Sequence, residues 1–319
     1  MISPPYRLDG GPRSFTGGGA MGAKLSWRVD GADWPNRDAS RFVDAAGFGW
    51  HVQIMGSGPV ALLAHGTGAA THSWRALMPL LARQFTVVAS DLPGHGFTEA
   101  PPRHRLSLPS MARDLAGLCA QLGVKPQLAV GHSAGAAILA RMSLDRTIDP
   151  ALIVSLNGAF LPFGGVAAFV LSPLAKALMF NPFVPRMFAW RGSDPAAVHR
   201  LISGTGSTID AEGERLYGKL VSSPAHVAAA LQMMANWDLH SLVRDLPRLR
   251  PALLLIAASK DRAIPPDVAH RVREILPKAR LDLVQGYGHL MHEEAPERAA
   301  AAIIAAAMAA DIIASQHEA

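Results

Sequence analysis

One stretch, Pro126–Arg141 (PQLAVGHSAGAAILAR), limits the folds open to this chain more than any other. A short apolar run (Leu128, Ala129, Val130) stops at Gly131-His132-Ser133-Ala134-Gly135, and the helix formers Ala136, Ala137, Ile138 and Leu139 follow at once. That order reads as strand, very tight turn and helix, with one hydroxyl at the apex. The glycines two before and two after Ser133 have a steric reason. The serine backbone must be strained, and a Cβ on either flank would collide with the neighbouring strand or helix. Ser133 Oγ is thereby pushed out of the sheet at a helix N-terminus, whose free N–H groups favour negative charge. Ser133 is the candidate nucleophile.

Around this turn, strand-like and helix-like segments alternate. Strands are predicted at Ser40–Asp44 and Trp50–Met55, joined through Ala45-Ala46-Gly47, then at Val60–Ala64, Thr86–Ala89, Leu152–Leu156, Ala252–Ala257 and Arg280–Val284. Helices are predicted near 74–82, 109–122, 266–276 and 296–314. This spacing argues an α/β fold with a mostly parallel, doubly wound sheet. The alternation lapses between 158 and 246, which is rich in Phe, Met and Pro and reads as an inserted helical cap. The expected division is a disordered extension over 1–22, a core formed by 23–157 and 247–319, and a cap, or lid, over 158–246.

Half of the 319 residues are apolar, enough for one large core. The net charge of +5 is spread without a basic block, so nucleic acid is not expected as a partner. The single cysteine, Cys119, excludes an intrachain disulfide and sits among Leu115, Leu118 and Leu122, as on a buried helix face. A reducing, cytoplasmic setting fits. The first twenty residues lack the apolar core of a secretion signal, and Met21 reads as an alternative start. Ala151–Ala175 carries no charge, but Asn157, Pro162 and Gly164-Gly165 interrupt it, so no transmembrane segment is expected.

A serine hydroxyl needs a base, and the base needs an orienting acid. Asp261 and His289 follow predicted strand ends, where ligands gather in open α/β sheets. Asp261 has a second reading as a helix cap before Pro265-Pro266. Asn157 occupies another strand end, but an amide cannot serve as the acid. His292 competes with His289, which the glycines at 286 and 288 place in a tight loop. The oxyanion of an acyl-transfer intermediate needs two N–H donors. Ala134 follows the nucleophile, and Thr67, with Gly68 second, lies in the loop His65-Gly66-Thr67-Gly68. The thirteen histidines show no metal-ligand spacing, and no Gly-Lys-Ser/Thr completes a phosphate loop. Neither metal nor cofactor is expected.

The motifs His65-Gly66-Thr67-Gly68, DLPGHG (91–96), GHSAG (131–135), the Asp261 loop and GYGHLMHEE (286–294) resemble the α/β-hydrolase superfamily from about residue 40 to 315. Its chain order of nucleophile, acid and histidine is met here by Ser133, Asp261 and His289. A narrower resemblance rests on DWPNRDASRFV (33–43), HGTGAATHSWR (65–75), TGSTID (205–210) and MMANWDL (233–239). These are similar to the magnesium-chelatase accessory proteins encoded with bacteriochlorophyll biosynthesis genes in phototrophic bacteria. That resemblance implies a role near magnesium insertion into protoporphyrin and names magnesium-chelatase subunits as candidate partners. Dehalogenases and epoxide hydrolases of the superfamily usually carry Asp at the turn, and Ser133 argues against both chemistries.

Phe160, Phe163, Met187 and Trp190 belong to an aromatic stretch of the lid. One reading is ordinary packing on the core; the other is the roof of an apolar pocket for a hydrophobic small molecule, a tetrapyrrole among the candidates. Met233 and Trp237 would line it from the lid's far end, and His65, Gly66, His132 and Leu290 from the catalytic loops. Arg186 and Arg191 could then meet a carboxylate such as a porphyrin propionate. Two functions follow: a serine hydrolase acting on an ester or related carbonyl, or a non-catalytic accessory protein that holds a tetrapyrrole.

Overall fold

The computed structural model describes residues 23–162, 181 and 183–314. Eight strands form one sheet: β1 Ser40–Ala45, β2 Phe48–Met55, β3 Val60–Ala64, β4 Thr86–Ser90, β5 Leu128–His132, β6 Leu152–Leu156, β7 Ala252–Ala258 and β8 Arg280–Val284. Their order is β1-β2-β4-β3-β5-β6-β7-β8. β1 and β2 form an antiparallel hairpin, closed between the paired residues Ala45 and Phe48. Its two loop residues, Ala46 (φ 54°) and Gly47 (φ 88°), both take positive φ, as a two-residue turn matched to strand twist requires. β2 also runs antiparallel to β4, and all remaining pairings are parallel.

The central strands are near-continuous apolar runs because both faces are covered. Along β3 the side chains alternate between two cores. Leu62 and Ala64 pack with Trp50, Leu115 and Ile138 on one face, and Ala61 and Leu63 with Trp74, Leu77 and Ile303 on the other. The first face is covered by the helices Leu108–Leu122 and Ala134–Leu144, the second by Leu77–Leu81 and Pro296–Ala309. Cys119 is buried in the first.

The strands match the sequence reading to within a residue or two at each end, but two helices are shorter than expected. Of the segment 74–82 only Leu77–Leu81 is α-helical, and Trp74 ends a 3-10 turn that starts at Thr71. The last helix ends at Ala309 rather than 314.

Between β6 and β7 lie the helices Phe183–Gly192, Pro195–Gly204, Ala211–Val221, Pro224–Ala235 and His240–Asp245. Three begin on side-chain caps: Asp194 accepts from Ala196 N, Asp210 from Gly213 N, and Ser223 from His226 N. Proline follows the cap in the first and third, where its missing N–H costs nothing. No helix among the described residues is long and apolar enough to cross a membrane.

Candidate active site

The turn after β5 has the strain its sequence implies. Ser133 sits at φ 51°, ψ −119°. A Cβ on Gly131 would come 2.4 Å from the Ala136 backbone, and one on Gly135 would come 2.0 Å from the Ala64 carbonyl oxygen. Both glycines are therefore required by contact, and they let the helix Ala134–Leu144 start directly against β3. Ser133 N donates to Leu156 O, and Ser133 O accepts from Ala136 N and Ala159 N. The whole serine backbone is fixed, leaving its side chain on the wall of a cavity of about 530 Å³.

His289 lines the same cavity. Its Nδ1 lies 2.7 Å from Asp261 Oδ2, and both residues are buried. Asp261 Oδ1 accepts from Ala263 N and Ile264 N at 2.8 Å each. The two carboxylate oxygens thus divide the work. One pins the loop after β7, and the other accepts the Nδ1 proton of His289, leaving the Nε2 lone pair free. The helix-cap reading of Asp261 gives way to this local turn, since the next helix starts only at Asp267. Among the described residues no hydrogen bond joins Ser133 Oγ to the His289 ring.

The His289 loop is held from behind. Its carbonyl accepts from His132 Nε2 (3.0 Å) and from Asn157 Nδ2 (2.8 Å), which also reaches Gly288 O. Asn157 Oδ1 accepts from Ala258 N, tying the loop to the end of β7. Asn157 has φ 48°. The amide rejected as an acid is thus a brace for the His289 loop. Burial, with His292 and His289 nearby, holds the His132 ring well below its ordinary pKa, so it is neutral and its donating nitrogen is Nε2.

His292 fits the base role poorly. Its Nε2 bonds Ser73 Oγ and its ring packs on Trp74. Burial lowers it to about 3. Its neighbour Glu293 is buried with Ser73, Tyr217 and Arg75 as partners, and burial raises its pKa. Tyr217 reaches this carboxylate from the helix Ala211–Val221 and also lines the cavity.

The loop after β3 is a tight turn in which Ala69 N donates to Gly66 O and Gly68 takes φ 78°. His65 lies beneath it, fully buried. Its Nε2 accepts from Leu92 N, so Nδ1 carries the proton and donates to Gly66 O at 2.8 Å. In a trans peptide the N–H opposes the carbonyl, so anchoring Gly66 O turns the Thr67 N–H away from His65. Neither Thr67 N nor Ala134 N has a hydrogen-bond partner among the described residues. Gly66 is itself a contact glycine: a Cβ there would come 2.9 Å from His132 Nδ1 and 3.0 Å from Ser133 Cβ.

Several expected pocket residues stand elsewhere. Gly66, His132 and Leu290 line the cavity with Ser133, Thr67 and His289. His65 is below the loop instead of on the wall. Phe160 is buried in the core and is not on the wall of this cavity. Trp237 packs into the same core. Met233 is buried behind the wall, its Sδ accepting from Thr67 Oγ1 at 3.5 Å, while the next residue, Met234, lines the cavity. Met187 and Trp190 point to the outer surface, because the helix Phe183–Gly192 turns its small residues inward. Phe163 lies outside the described residues. Of the two arginines, Arg191 lines the cavity and Arg186 does not; Arg200 joins it.

Two features of the wall were not read from the sequence. Segment 205–210 locks onto the loops of both Asp261 and His289: Arg262 N donates to Thr205 O, and Leu290 N donates to Ser207 Oγ. Its only signal was its place in the family resemblance. His226 bonds Gly68 O through Nε2 and accepts from Gly96 N at Nδ1, tying the helix Pro224–Ala235 to the turn. A histidine on an alanine-rich helix carries no such signal. Among the described residues no group of His, Cys, Asp and Glu could hold a metal ion.

Residues 59–296 match a family model described as alpha/beta hydrolase fold. The chain is 39% identical over 268 residues to the magnesium-chelatase 30 kDa subunit of Rhodobacter capsulatus, spanning 83% of this chain and 93% of that one. It is 27% identical over 268 residues to the 2-hydroxy-6-oxo-2,4-heptadienoate hydrolase of Pseudomonas putida, covering 81% and 92% of the two chains. A solved esterase from Exiguobacterium antarcticum superposes with a TM-score of 0.68 at 19% identity, over 83% of this chain and 98% of that one, a likeness of fold. The chain belongs to the α/β hydrolase fold family, with the Rhodobacter capsulatus subunit among its relatives.

Proposed function

We propose that this protein is a serine hydrolase acting on an ester or related carbonyl of a hydrophobic small molecule. The observation that carries it is the buried Asp261–His289 pair opening onto the same cavity as Ser133 on its strained turn. As Ser133 Oγ attacks the carbonyl carbon, its proton passes to His289 Nε2, and Asp261 stays ionised and steadies the imidazolium. The contact from Ser133 to His289 closes when substrate is bound, as such bonds often tighten beyond the resting state. The N–H groups of Thr67 and Ala134 receive the oxyanion. Collapse expels the alcohol or thiol, which takes the proton from His289. Water, deprotonated by the same ring, then releases the acid and restores Ser133.

The helices between β6 and β7 act in this proposal as a cap over the cavity. The walls are largely apolar, with Ile202, Val227, Leu231 and Met234 among them, and Arg191 and Arg200 supply positive charge. A cavity of about 530 Å³ lies inside the usual range for small-molecule sites. A bulky apolar substrate bearing a carboxylate suits it. In this proposal the substrate belongs to bacteriochlorophyll biosynthesis in a reducing cytoplasm, a reading that the magnesium-chelatase name of the Rhodobacter capsulatus relative supports.

The same name and the same apolar cavity support a second reading, a non-catalytic accessory protein that holds a tetrapyrrole and meets magnesium-chelatase subunits. A panel of short nitrophenyl esters separates the two. Turnover that falls at least about 1000-fold in Ser133→Ala is expected for the hydrolase. No turnover on any ester, together with protoporphyrin quenching of tryptophan emission that Ser133→Ala leaves unchanged, would favour the holder.

A further inference from the structure

The helix Phe183–Gly192 is inside out. At 3.6 residues per turn, Phe183, Met187 and Trp190 fall on one side, with Arg186 along one edge and Arg191 along the other. The opposite side, packed on the molecule, consists of Pro185, Ala189 and Gly192, all buried. Trp190 is 77% exposed and Phe183 71%, and Met187, Phe188 and Leu201 are about half exposed. An ordinary surface helix turns its large apolar residues inward and its charges outward. Here the bulky residues face solvent, and the ten-residue helix contains no acidic residue.

The surface is continuous with the candidate site, because Phe188, Arg191 and Leu201 also line the cavity that holds Ser133. We propose that this face seats the protein on a lipid bilayer containing anionic headgroups. Trp190, Phe183 and Met187 enter the headgroup boundary, and Arg186 and Arg191 meet lipid phosphates on either side. An aromatic stripe edged by arginines is the pattern of helices that lie in the interface plane. A protein groove would need acidic residues placed on both flanks, whereas an anionic leaflet supplies them in every direction. The consequence is that a hydrophobic ligand reaches the cavity from the membrane surface. This does not rest on the hydrolytic reading.

Sedimentation of the full chain with vesicles of phosphatidylcholine and phosphatidylglycerol tests it. The wild type is expected to sediment with mixed vesicles, less with phosphatidylcholine alone, and less at high salt. Phe183→Ser/Met187→Ser should lower partitioning about tenfold or more, and Arg186→Glu should weaken the dependence on anionic lipid. Trp190 emission should shift to the blue on vesicles, a shift that Trp190→Phe removes while partitioning persists. Unchanged circular dichroism and unchanged turnover of a soluble nitrophenyl ester keep these outcomes apart from misfolding and from failure of the catalytic proposal. The proposal is overturned if the wild type does not sediment, or if the double variant partitions equally. It is also overturned if the variant's only effect is to separate a dimer, which would make a second copy the occupant.

Discussion

Gly206 lies so close to Lys260 that a Cβ built on it would come 1.9 Å from the Lys260 carbonyl oxygen. On its other side a Cβ on Gly288 would come 2.3 Å from the Gly206 carbonyl. One glycine between two helices is thus wedged between the loop of the candidate acid and the loop of the candidate base. Gly206 also takes φ 87°, which a side chain rarely adopts.

Gly206→Ala should therefore destabilise the fold by about 2–3 kcal/mol and lower kcat more than it raises KM. Gly204→Ala is the control, since nothing lies within 4 Å of its Cβ position. It should be neutral or stabilising by up to about 1 kcal/mol. Urea unfolding and ester turnover read both.

Asn157→Ala removes the donors to the Gly288 and His289 carbonyls and the acceptor for Ala258 N. Buried partners left unpaired cost about 1–3 kcal/mol each, and the base loop should loosen. A fall in kcat of about 10- to 100-fold with little change in KM is expected. Asn157→Asp should be worse, because it turns carboxylate oxygens toward two carbonyl oxygens. Steady-state kinetics of the two variants decides the order.

Asp261→Asn is the sharper test of the acid. The single oxygen of the new amide is claimed by Ala263 N and Ile264 N, so its NH2 faces His289 Nδ1. That forces the proton onto Nε2 and removes the base. Turnover should drop by about 10⁴ while thermal unfolding moves little. An activity loss below tenfold would place the acid elsewhere.

Acid should weaken the fold early. Burial is the main cause that holds His65, His72, His95, His132, His226 and His292 below their ordinary value, His226 at about 4 and His292 at about 3. These rings are neutral when folded, whereas in the unfolded chain they take protons near pH 6.5. Their contribution is complete above about pH 6.5 and is lost as pH falls toward the folded values, by up to about 1.4 kcal/mol per histidine per pH unit. Asp91 acts lower on the scale. Burial opposes its charge, but the His51 ring and Phe97 N depress its pKa, so its share disappears only below about pH 4. Tm followed from pH 7.5 to 4.5 should fall steadily; a flat profile would mean that the rings are not held neutral.

What the sequence revealed divides along physical lines. The turn at Ser133 was legible because strand, strained residue and helix are local, and the contacts of Gly131 and Gly135 are with parts of the chain that any such turn brings near. Asp261 and His289 were legible as polar residues just past apolar strands. The pocket was not. Which side of the helix Phe183–Gly192 faces inward depends on how much room its neighbours leave: Pro185, Ala189 and Gly192 are the residues buried there, and a Cβ on Gly192 would come 2.7 Å from the Val221 carbonyl oxygen. Phe160 and Trp237 went to the core for the same reason, since apolar side chains look alike until packing assigns them. The braces from Asn157, Ser207 and His226 join segments far apart in sequence, and no local pattern announces them.

The central claim is that Ser133 is an activated nucleophile. A fluorophosphonate probe followed by peptide mass mapping tests it most directly. The expected result is one covalent adduct at Ser133, absent in Ser133→Ala and strongly slowed in Asp261→Asn. No adduct on the folded wild-type protein, or an adduct at another residue that persists in Ser133→Ala, would contradict it.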